Sequence, residues 1–125
     1  MSQDSATEAS NLDAHARAIL HENRYLTLGT ADASGRPWTT PVYFSAAGLR
    51  DFFWMSLTDA QHSRHLTVRP QVSLVVFDST VPPYHGRAVY AAGSAWELAR
   101  SELTRRCRST LARCSEAAHR SLWTT

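Results

Sequence analysis

The chain has 125 residues, 43% of them hydrophobic, with a formal net charge of +2. That length holds one domain with a real core, and no window approaches the ~18 apolar residues of a membrane-spanning helix. All basic residues are Arg: seven face nine acids over residues 1–99, and six face two acids over 100–125, so by charge the main body is not a nucleic-acid surface and no nucleic-acid or membrane partner is expected.

The start, MSQDSATEASNLD, is polar and acidic and lacks the basic and apolar regions of a secretory signal. A cytoplasmic protein is expected, with residues 1–10 disordered. From Asn11, which could cap a helix, Leu12, Ala16, Ile19 and Leu20 form an apolar stripe that should end near Asn23.

Tyr25 to Ala31 reads as a strand, followed by the turn Asp32-Ala33-Ser34-Gly35. A second strand is expected over Arg36 to Ser45, with Pro41 marking an edge or bulge because it cannot donate to a ladder. Ala46-Ala47-Gly48 turns into a third strand, Asp51 to Leu57, completing a meander. The period then changes. Thr58-Asp59-Ala60-Gln61 matches a capping box opening a short helix, roughly Asp59 to Val68, closed by Pro70.

Val72 to Phe77 alternates as a fourth strand, apolar on both sides, and a loop containing Pro82-Pro83 follows. Arg87 to Leu98 is expected as one fifth strand, rich in small residues that permit close approach by a ligand or another element. Residues 101 to about 122 carry a thin helical stripe. The two cysteines, Cys107 and Cys114, are too few for a disulfide framework and read as ordinary thiols.

In this order, Leu26-Thr27-Leu28-Gly29-Thr30, Gly35-Arg36-Pro37-Trp38-Thr39-Thr40-Pro41-Val42, Phe53-Trp54-Met55-Ser56, His62-Ser63-Arg64-His65-Leu66 and Arg69-Pro70-Gln71-Val72-Ser73-Leu74-Val75-Val76 resemble the pyridoxamine 5′-phosphate oxidase-like split barrels. The resemblance covers about residues 12–98. It implies a mainly β fold, a Greek-key split barrel with flanking helices, as a homodimer. A flavin-binding domain would span 11–98, followed by an Arg-rich helix or tail over 99–125. That tail is poor in β-branched residues, as in a truncated member, so the barrel is expected to lack its usual C-terminal strand and to leave an edge open.

The same resemblance implies FMN, or a deazaflavin coenzyme or haem, bound in a cleft between subunits. Thr39, Thr40, Pro41 and Val42 would lie along the ring. Trp54, Ser56, His62, Ser63 and Arg64 would hold the rest, with the capped helix start and Arg64 suited to a phosphate dianion. Related sequences often carry Lys where His62 stands. The bland readings are an ordinary edge strand and a solvated helix face. Trp54 could stack on a cofactor or fill the core, whereas Trp38 and Trp96 read rather as core or dimer interface, and Tyr84-His85-Gly86 as a surface turn.

No hydrolytic triad, metal-ligand cluster or Gly-rich phosphate loop is visible. A flavoprotein needs none of them, since the cofactor carries the redox chemistry. The expected function is therefore an FMN- or deazaflavin-dependent oxidoreductase moving a hydride to a small substrate, with no catalytic residue assignable. The alternatives are a non-catalytic flavin- or haem-binding module, with His62, His65 or His85 as axial ligand, and a degenerate dimeric barrel without ligand. Synthesis of pyridoxal phosphate itself is not expected, because the substrate-binding Arg and Trp residues of the longer oxidases are not recognisable here.

Overall fold

Asp32 decides the first reversal of the chain. Its Oδ1 accepts hydrogen bonds from the main-chain N–H of Ser34 (2.9 Å) and Arg36 (2.9 Å) and from the Ser34 hydroxyl (2.7 Å), while Gly35 supplies the positive φ of 89°. The two strands it joins are β1 (Tyr25–Ala31) and β2 (Pro37–Ala47), antiparallel in the register Tyr25↔Tyr43 to Ala31↔Pro37. A second reversal at Gly48, φ 67°, leads into β3 (Asp51–Leu57).

The computed structural model describes residues 2–99 and 120–124. Beyond the meander it contains α1 (Ser2–Glu22), α2 (Gln61–Val68), β4 (Gln71–Phe77), β5 (Ala88–Ser94), β6 (Trp96–Glu97) and β7 (Arg120–Thr124). The strand order is β5-β4-β1-β2-β3-β7-β6. The run β4-β1-β2-β3 is a Greek key: three sequential strands with the fourth returning beside the first. The outermost strands, β5 and β6, are separated in the chain by Ala95 alone. One kinked strand thus pairs with β4 on one side and β7 on the other, curling the sheet into a barrel.

Inward positions alternate along each strand. Leu26 and Leu28, Val42 and Phe44, Phe52 and Trp54, and Val72, Leu74 and Val76 form one buried cluster. Phe53, on the other face of β3, packs with Leu98 in a second.

Five expectations are corrected. The first helix begins at Ser2, through the residues read as disordered; Ala6, Glu8 and Ala9 are good helix formers and neither Gly nor Pro interrupts them. Its stripe is shorter than read, since Leu12 is 68% exposed and only Ile19 and Leu20 at its far end reach the core. The capping box does not form: residues 58–60 make a turn closed by Ala60 N–H to the Leu57 carbonyl (3.2 Å), and α2 starts at Gln61 after an uncapped Ala60. The fifth strand is interrupted at Ala95, whose N–H bonds the Pro70 carbonyl (2.9 Å) in step with the β4–β5 register, after which Trp96 and Glu97 pair with β7.

The edge expected to be open is paired. Arg120–Thr124 pairs with β3 from Phe53↔Thr124 to Leu57↔Arg120, so a C-terminal strand is present; a backbone ladder can form without a β-branched run. Cys107, Cys114 and the helix expected from residue 101 lie outside the described residues.

Candidate functional site

β2 changes partner midway. Pro37 to Tyr43 pair with β1, whereas the ladder with β3 runs only from Phe44↔Trp54 to Ala47↔Asp51. Alongside Thr39 and Pro41, on the side away from β1, no ladder is made among the described residues. This slot is the split in the barrel.

The phase of the β1–β2 ladder says which groups face it. Phe44 N–H bonds to the Arg24 carbonyl (3.0 Å), so Val42, Thr40 and Trp38, in step with Phe44, direct their amide groups to β1. Thr39 and Pro41 direct theirs to the slot. Pro41 has no N–H to orphan there, a physical reason for Pro at that position. The Thr40 side chain, half-buried, leans on the Pro41 carbonyl at 3.4 Å.

Beyond the β2–β3 ladder stand the end of β3 and α2. Ser56 Oγ and His62 Nε2 share a 2.6 Å hydrogen bond, both residues buried. One turn on, His65 Nδ1 bonds the Thr30 hydroxyl of β1 (3.0 Å), also buried. Arg69, just after α2, donates from Nε to the Asp32 carbonyl (3.0 Å) and from its guanidinium end to the Ala33 carbonyl (3.2 Å). These contacts clamp α2 to β1 and to the first turn. Burial, and secondarily the neighbouring His65, hold His62 below the usual imidazole range, so it is neutral near pH 7. Asp32 is held below the usual carboxylate range, first by the Ser34 hydroxyl.

The candidates therefore divide. Thr39 and Pro41 are exposed on the slot wall, Thr40 is half-buried there, and Arg64 is exposed on α2. Ser56 and His62 form the bonded pair between them in the chain. Val42 and Trp54 belong to the core, Trp54 being 1% exposed. Ser63 is 0% exposed, on the buried face of α2 with His62, His65 and Leu66. The Ser63 hydroxyl and the Trp54 Nε1 are buried with no hydrogen-bond partner among the described residues.

A groove of about 540 Å³ crosses the outer face of β2, β1, β4 and β5, over Thr39, Thr27, Gly29, Ser73, Val75 and Tyr90. Sequence reading missed it, although its signal was there: Tyr25, Tyr43, Phe77 and Tyr90 occupy outward positions and are exposed. Thr39 belongs both to this groove and to the slot. Among the described residues no three His, Cys, Asp or Glu side chains gather as metal ligands, and no helix is long and apolar enough to cross a membrane.

A mainly β split barrel with an unladdered strand segment and a clamped helix defines a class of fold, and comparison with known proteins names it. The pyridoxamine 5′-phosphate oxidase family model matches residues 12–122, and the chain belongs to that family. Among solved structures, it is similar to a haem-binding protein of Mycobacterium smegmatis at 23% identity and TM-score 0.72, covering 87% of this chain and 48% of the other. The chain thus spans about half the length of that protein. It is likewise similar to HutZ, the haem storage protein of Vibrio cholerae (22%, TM-score 0.68, 90% and 87% covered). A third is the conserved hypothetical protein Rv2991 of Mycobacterium tuberculosis (20%, TM-score 0.70, 90% and 78% covered). No curated protein matches.

Proposed function

We propose that this chain binds a flavin mononucleotide in the slot between β2 and α2, as a homodimer, and serves as a cytoplasmic oxidoreductase for a small substrate. The observation that carries this reading is the unladdered stretch at Thr39 and Pro41, with their main-chain groups turned away from β1; Arg64 on α2 is exposed.

The donor set fits a flavin in part. Thr39 N–H and the Thr39 and Pro41 carbonyls suit the amide-like edge of a planar heterocycle. Arg64 suits a phosphate dianion through two parallel hydrogen bonds. His62, neutral and bonded to Ser56, adds a hydrogen-bonding group and no charge, so the phosphate rests on fewer cations than in relatives with Lys there. Trp54, Val42 and Ser63 stay behind the wall and support it. When bound, the flavin supplies the hydride chemistry; a deazaflavin coenzyme would use the same slot.

The second copy covers the groove on the outer face. An exposed stretch carrying Tyr25, Tyr43, Phe77 and Tyr90 is the kind of patch that marks an interface, and Thr39 links it to the slot.

Haem is the second reading, favoured by the two haem proteins that share the fold. Against it, His62 and His65 each have a ring nitrogen committed to a hydroxyl in a buried bond. The absorbance spectrum of the purified chain, before and after dialysis against FMN, decides. Flavin bands that stay with the protein are expected, with affinity at least about tenfold lower in Arg64→Ala and an unchanged melting temperature. A Soret band that His62→Ala or His85→Ala removes would replace this reading with haem, and a protein that takes up neither would end both.

A further inference from the structure

Along the β4–β5 ladder, adjoining the groove through Leu74, Ala91 and Ala92, lies a second cavity of about 220 Å³. Leu49, Phe52, Val72 and Leu74 give it an apolar wall, and Ala91 and Gly93 form its floor along β5. Arg50 is the one ionisable residue in the lining. None of the slot residues contributes.

The cavity is a property of the sequence. Gly93 pairs with Val72, an inward position, yet it is exposed, so the interior is open to solvent there. A Cβ added at Gly93 would meet nothing within 4 Å. The small residues of β5 thus leave out the side chains that would fill this part of the barrel. Packed interiors have few voids larger than a water molecule, and apolar cavities hold water poorly; one of about 150 Å³ accepts benzene. Arg50 is exposed, and its guanidinium has no hydrogen-bond or ion-pair partner among the described residues.

We infer that this cavity is a binding site for a small monocarboxylate with an apolar body, the tail against Phe52, Val72 and Leu74 and the carboxylate on Arg50. The volume holds a chain or ring of roughly six to nine non-hydrogen atoms, scaled from the benzene-sized cavity. The single cation selects one anionic head; a neutral ligand would forgo the charge-assisted bond.

The full chain is titrated with sodium hexanoate, hexanol and sodium acetate, following amide NMR shifts. Hexanoate saturates shifts at Arg50, Phe52 and Gly93 with a dissociation constant on the order of 1 mM, as about eight ligand atoms allow. Hexanol and the Arg50→Gln variant each bind about tenfold more weakly, and acetate produces no saturable shift. Gly93→Leu fills the cavity and abolishes hexanoate binding; if it does not fold, Ala91→Val tests the same volume with one smaller intrusion. The inference is overturned if hexanoate gives no saturable shift up to about 20 mM, if the shifts map to Thr39 and His62, or if the filled variant binds like the parent. Flavin uptake is read on the same variants, so failure of this site and failure of the flavin reading are separable.

Discussion

The two halves of β2 have similar residue types and opposite fates. From Pro37 to Tyr43 the strand has one ladder partner, β1, and Trp38, Pro41 and Tyr43 are exposed. From Phe44 to Ala47 the ladder partner is β3 instead, and Phe44 packs with Phe52 at a ring-centroid distance of 6.3 Å. What separates them is pairing, not hydrophobicity. Where β2 meets β3 the backbone on that side is paired, and beside Thr39 and Pro41, where the β3 ladder is missing, it is left to recognise something else. A split barrel is a way to keep part of a strand unsatisfied while its continuation anchors it.

The sharpest way to break this contrast is at the anchored end. Trp54→Ala removes a fully buried side chain opposite Phe44 and should cost about 3–5 kcal/mol in urea unfolding; Thr39→Ala in the slot should stay within about 0.5 kcal/mol. Equal effects would mean the halves are not distinct. Next is the clamp that holds α2 beside the slot. Thr30→Val leaves His65 Nδ1 buried without its partner and should cost about 1–3 kcal/mol, with Thr30→Ser recovering most of it.

The pH dependence follows in size. His62 is held below its ordinary value of 6.5 by burial, so the unfolded chain binds the proton first. Stability should therefore fall as pH drops below about 6.5, and the urea midpoint of His62→Gln should fall less over the same range. A variant as pH-sensitive as the parent would locate the titration elsewhere. The smallest effect is expected at Gly29, on the groove face: an added Cβ would lie 2.6 Å from the Ser73 hydroxyl, which can rotate away. Gly29→Ala should cost less than about 1 kcal/mol, and Ser73→Ala should relieve it in the double variant.

Tyr25 to Ala31 and Asp51 to Leu57 were legible to the residue, because alternation and flanking turn chemistry agree there. The family was legible in the ordered stretches between Leu26 and Val76. The start of α2 was not: Thr58 to Gln61 satisfies the local pattern of a capping box, but the Leu57–Ala60 turn competes for the same residues. Which face of α2 is buried is set by packing, so the burial of Ser63 was not legible either. The break at Ala95 falls where pairing passes from β4 to β7, which no local pattern encodes. Nor could the sequence alone show that β2 changes partner at Phe44.

β7 completes the ladder of β3, so Met55 must meet Leu122 across most of the chain. In kinetic terms this is a late contact. A nascent or refolding chain has the meander in place while the far edge of β3 still offers unpaired backbone groups. During that interval, strand addition by another copy competes with the arrival of β7. The yield of correctly folded protein should therefore fall with concentration more steeply than the stability of the finished barrel would suggest.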